Sequence, residues 1–148
     1  MRAVLYDRSG GPEVLKIGEL PAPTGANVVD VTAAALNPKD VLTRKGKMRL
    51  FKRGFPHTSG QDLAGIVDAV GKGVKALRDG EEVYGMIPGM GSGACAELAL
   101  LPHHAGALKP RSASMVEAAR AMIPGESRRL RGMVGVSVPG GRSFSEAC

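Results

Sequence analysis

Apolar and polar positions alternate along this chain in short runs, and Gly or Pro separates most of them. That rhythm predicts strands rather than long amphipathic helices. Arg2 to Asp7 reads as a first strand and Val14 to Leu20 as a second, with Arg8-Ser9-Gly10-Gly11-Pro12 as the loop of a hairpin. Pro21-Ala22-Pro23 ends the second strand, because proline has no N–H to give to a ladder. Asn27 to Ala35 forms a third strand, with Val29, Val31 and Ala33 on one face. The richest stretch, Phe55 to Gly85, holds a strand from Asp62 to Val70, a turn at Asp79-Gly80 and a strand from Glu82 to Tyr84. Small residues at Gly60, Ala64 and Gly65 predict that another part of the chain approaches this backbone closely. Gly93 to Leu101 and Ala105 to Leu108 are further strands, the latter ended by Lys109-Pro110.

Two short helices interrupt this pattern. Asn37 is a favoured N-cap, Pro38 a favoured first helical residue, and Asp40 suits the positive end of a helix dipole. The helix runs from about Pro38 to Arg44 and closes at Gly46. Ser114 and Glu117 form a capping box for a second helix through about Met122. With 21 Gly and no Trp, a core must come from Val, Leu, Ile, Ala and Met. The 148 residues suffice for one domain with a sizeable core. The expected class is mainly β (β-rich α+β), a partly open barrel with short helices.

Charge alters this picture little. The net charge is +6, with Arg44, Lys45, Lys47, Arg49, Lys52 and Arg53 in one cluster and Arg128, Arg129 and Arg131 in another. Basic clusters attract nucleic acid or phosphorylated ligands. Only Phe51 lies within the first one, so stacking on bases is not supported and a solvated loop is the expected reading. No apolar run is long enough to span a bilayer, and no signal-peptide core follows Arg2. Cys95 and Cys148 make no disulfide framework, and Cys95 reads as a small core residue. A cytoplasmic location is expected.

The spacing Gly60, Gly65, Gly71 and Val74, followed by the Gly-Glu-Glu-Val-Tyr-Gly turn at 80–85, resembles the N-terminal GroES-like domain of the medium-chain dehydrogenase/reductase superfamily. Where its zinc branch has Gly-His-Glu, this chain has Gly60-Gln61-Asp62. Where that branch has Cys-His-Thr-Asp, this chain has Asn37-Pro38-Lys39-Asp40. Both departures resemble the zinc-free, quinone-oxidoreductase-like branch. The resemblance covers about Met1 to Ala121 and implies an oxidoreductase using NADP or NAD on a quinone, enone or related carbonyl substrate. It leaves room for a homo-oligomer. It implies that Asn37 lines the cleft near nicotinamide and substrate, with Asp40, Gln61 and Asp62 as further pocket candidates.

Each candidate also has a plainer reading. Asn37 serves a helix as a cap, Asp40 favours the helix dipole, and His57, His103 and His104 suit a surface. His103 and His104, neighbours on an extended segment, should point to opposite faces. Zinc is not expected, because Asn37 and Gln61 are poor replacements for Cys and His ligands. Some zinc-free reductases place a Tyr after the Asn-Pro-x-Asp helix; Leu42 and Met48 stand here and transfer no proton. No nucleophile elbow is present.

Residues 122–148 depart from the resemblance. They contain no G-x-G-x-x-G and no room for a βαβ unit, so the dinucleotide-binding Rossmann domain is absent from this sequence. The tail is expected to be disordered or out of frame, with Val134 to Val138 able to add an edge strand. Truncation is the corresponding expectation, with weak or no cofactor binding by this chain. The alternatives are a non-catalytic GroES-like binding module and, less favoured, a zinc-dependent alcohol dehydrogenase.

Overall fold

The computed structural model describes residues 1–25, 27–48, 54–88, 93–121 and, as backbone, 134–137. Strand β1 (Arg2–Tyr6) pairs antiparallel with β2 (Lys16–Glu19) and with the two-residue β4 (His57–Thr58). The second strand is shorter than the sequence pattern predicts. Pro12–Val14 is a 3-10 turn instead, which buries Val14 before the ladder begins.

A larger sheet carries β3 (Val28–Leu36), β5 (Asp62–Ala69), β6 (Glu82–Met86), β7 (Leu98–Leu100), β8 (Gly106–Leu108) and β9 (Val134–Ser137). Its order is β7-β3-β5-β6-β8, with β9 also on β3. All of these pairings are antiparallel. One edge of β3 is lined by β5 from Val28 to Ala35, with two register shifts. The other is shared end to end: β7 takes Val28 to Asp30, and β9 takes Ala33 to Leu36. Part of the tail, Val134–Ser137, thus adds the edge strand that the sequence allowed; the rest of the tail, including Pro124-Gly125, Gly140-Gly141 and Cys148, lies outside the described residues. Neither sheet closes on itself among the described residues. An isolated bridge, Ala3 to Ala96, joins the two.

The core sits between the sheets. Val4, Val29, Val31, Ala34, Leu63, Val67, Leu77, Val83 and Leu101 form one buried cluster. Burying a side chain of the Val or Leu class is worth about 1.5–3 kcal/mol. Helix α2 (Met115–Arg120) packs Ala118 and Ala119 onto Ala33 and Ala64 in a second cluster. Ala33 is thus not on the face of Val29 and Val31. The register slips between Val31 and Ala33, and that irregularity turns the following residues over.

Close packing explains the glycines. A Cβ on Gly65 would stand 2.1 Å from the Asp30 carbonyl oxygen on the neighbouring strand. Gly60 has φ of +86°, and a Cβ there would meet Cys95 Sγ at 2.7 Å. Cys95 is buried, as a core residue should be. The histidines differ from expectation: His103 and His104 lie in a 3-10 turn with rings edge to face, 5.5 Å apart.

Candidate functional site

Helix α1 (Pro38–Arg44) begins at Asn37, directly after β3 ends. The Asp40 carboxylate holds that junction. Its Oδ2 accepts from the Asn37 backbone N–H at 2.8 Å, and its Oδ1 accepts from the Gly60 N–H at 3.1 Å. Asp40 thus ties the helix start to the residues entering β5. At the far end of α1, Gly46 takes φ of +73° and donates its N–H to Thr43 O at 2.9 Å.

The Asn37 side chain turns toward the sheet. Its Nδ2 donates to Asp62 Oδ2 at 2.7 Å. Asp62 opens β5 and is fully buried, paired across the ladders with Ala35 on β3 and Met86 on β6. Its second oxygen, Oδ1, has no hydrogen-bond partner. Burial pushes the Asp62 carboxyl up from its ordinary value; the Asn37 bond opposes this, the Asp40 charge adds to it, and Lys39 pulls down.

Gln61, next to Asp62, sends its side chain to another partner. Its Nε2 donates to Ile87 O at 3.2 Å, while Ile87 N donates to Gln61 O at 2.8 Å. The structure therefore joins Asp40 and Asp62 in one network through Asn37, with Gly60 as a second donor to Asp40, and Gln61 fastens the adjoining end of β6.

Two neighbours escape a reading of local sequence. Tyr6 ends β1 with its ring against Phe55 and His57, at centroid distances of 6.1 and 5.2 Å. Its phenol is pushed up to about 12, first by burial and then by the Asp40 charge. No local signal marks Tyr6, because only the pairing of β1 with β4 brings it here. Arg44 looks like part of the basic loop, yet it is buried and donates from Nη1 to Gly10 O at 2.9 Å. Arg49, Lys52 and Arg53 lie outside the described residues. Leu42 is exposed on α1.

Asn37 and Gln61 both spend amide N–H groups within the protein, and an amide is a poor zinc ligand beside thiolate or imidazole. The donor set therefore does not fit a three-ligand zinc site. Among the described residues, no group of three His, Cys, Asp or Glu is placed to hold a metal. Nor is any helix among them long and apolar enough to cross a membrane. Both described helix N-termini are occupied by carboxylates, Asp40 and Glu117, so neither offers a pyrophosphate site.

The glycine-spaced β5, the antiparallel sheets and the Asn-Pro-x-Asp helix together define a GroES-like oxidoreductase domain. Residues 23–111 match the alcohol dehydrogenase GroES-like domain, and the chain belongs to that family, within the quinone-oxidoreductase-like part of the medium-chain dehydrogenase/reductase superfamily. It is 34% identical over 129 residues to the NADPH-dependent alkenal/one oxidoreductase, chloroplastic, of Arabidopsis thaliana, covering 80% of this chain and 33% of that protein. The quinone oxidoreductase from Coxiella burnetii superposes with a TM-score of 0.79 at 29% identity, covering 84% of this chain and 42% of that one. The Escherichia coli quinone oxidoreductase complexed with NADPH gives 0.74 at 27% identity, covering 82% and 38%. The chain spans about a third of the length of the first of these relatives, 33%.

Proposed function

We propose that this chain is the substrate-side domain of an NADPH-dependent, zinc-independent reductase of quinones or enones. The observation that carries this reading is the Asn37–Asp62 hydrogen bond of 2.7 Å beside a helix start pinned by Asp40. An amide nitrogen has two N–H groups. One holds Asp62, and the other is free to donate to a substrate carbonyl oxygen as negative charge develops there. Asp40 fixes the backbone that carries this amide, so little reorganisation is needed during reaction. When bound, the nicotinamide supplies the hydride. NADPH is expected to bind this chain at about millimolar Kd or weaker. The relatives' names and the matching Asn37-to-Asp40 and Gly60-to-Val74 patterns support the same reading.

The test is NADPH oxidation by the chain at high cofactor concentration against a panel of quinones and enones, with zinc content measured on the same sample. Turnover without stoichiometric zinc is expected, and Asn37→Ala should lower kcat/KM roughly 10²-fold. One zinc per chain after dialysis would overturn the zinc-independent reading. No oxidation with any acceptor would favour a non-catalytic binding module.

A further inference from the structure

Two carboxylates grip Asn37 from different sides, and their surroundings differ. Asp40 accepts from two backbone N–H groups, at 2.8 and 3.1 Å. That is a setting in which an anion is well satisfied. Asp62 is fully buried, accepts only the Asn37 amide, and leaves Oδ1 with no partner. A buried carboxylate needs several donors to replace its lost hydration, and here it has one. A proton on Oδ1 would remove the charge while Oδ2 continued to accept from Asn37.

We infer that Asp62 holds its proton to a higher pH than an ordinary aspartate does and acts as a positioning residue for Asn37, so that the amide's setting follows the protonation of Asp62. The charged groups facing Asp62 are Asp40 and Lys39, both on α1; its cross-strand neighbours Ala35 and Met86 carry no charge. Asp40 favours the proton and Lys39 opposes it, while burial, the largest influence, favours it. The functional meaning rests on the reductase reading. An ionised Asp62 hydrogen-bonded to the amide would oppose negative charge growing on a carbonyl oxygen at the amide's other N–H; a neutral Asp62 does not.

Carboxyl 13C and side-chain 15N NMR of the labelled chain test this directly. The Asp62 carboxyl signal, identified by its loss in Asp62→Asn, should titrate at a midpoint above that of an ordinary aspartate. The Asn37 side-chain amide should shift with the same midpoint and lose that shift in Asp62→Asn. If Asp62→Asn does not fold, Asn37→Ala replaces it: removing the donor that favours the anion should raise the Asp62 midpoint further. An Asp62 already ionised at or below the ordinary aspartate range overturns the inference, as does a titration that leaves Asn37 unmoved. Reductase activity is read separately. Its absence with the titration intact would count against the reductase reading and leave the coupling of Asp62 to Asn37 standing.

Discussion

At the start of α2, the hydrogen bonds of the Ser114 and Glu117 side chains stay within that pair. Glu117 Oε2 accepts from the Ser114 N–H at 2.8 Å, and Ser114 Oγ accepts from the Glu117 N–H at 3.2 Å. The start of α1 also pairs a cap residue with an acid three positions on. Here Asp40 divides its oxygens between Asn37 and Gly60, while the Asn37 side chain leaves the helix for Asp62. One end is a closed local loop on the surface; the other is wired into β5. A cap used only locally stabilises its own helix. A cap that reaches a second element ties that element to its helix, and its loss is felt at a distance.

The largest way to break this contrast is to move β5 itself. Gly65→Val places a side chain against the Asp30 carbonyl, so we expect a loss of about 3 kcal/mol or more, read as the denaturation midpoint. A midpoint equal to wild type would mean that β3 and β5 are not held as tightly as described. Next comes Asp40→Ala, which strips an acceptor from two backbone N–H groups. About 2–3 kcal/mol should be lost, and hydrogen exchange should quicken at Gly60 as well as in α1. Exchange confined to α1 would reduce Asp40 to an ordinary cap.

Ser114→Ala is the control. Its expected cost is about 1 kcal/mol, with Asn37, Gly60 and Asp62 resonances unmoved. The smallest effect is a difference of sign with pH. Glu117 is held below the ordinary carboxylate value by the Ser114 bonds, backbone first. Its contribution is present above the unfolded value and fades as pH falls through the folded one. Asp62 is shifted the other way. Between its unfolded and folded values the folded state binds the extra proton, so stability falls as pH rises. Comparing wild type with Asp62→Asn across that interval isolates the term, and a rise in stability with pH assignable to Asp62 would contradict it.

How much of this was legible beforehand depends on the range of the interactions. Helix α1 runs over Pro38–Arg44 as its sequence predicts, because Asn, Pro, Asp and Gly46 each set a local backbone preference. The closeness at Gly65 was legible too, since a run of small residues in a strand has few other causes. The irregularity after Val31 was not: Ala33, Ala34 and Ala35 are all buried, so no polar position marks the change of face. Nor could composition separate Arg44, buried against Gly10, from the basic residues that follow it. The Asn37–Asp62 bond joins two residues that each looked eligible alone. Their partnership depends on the β3–β5 register, which no short window contains.

The shared edge of β3 also orders events during synthesis. Asp30 can meet Leu98 once that part of the chain has been made, but Ala33 must wait for Ser137 and Leu36 for Val134. At about 5–20 residues per second, the nascent domain passes through an interval in which half of one strand edge is still bare. During it, the backbone leading straight into Asn37 has unpaired N–H and C=O groups along that edge.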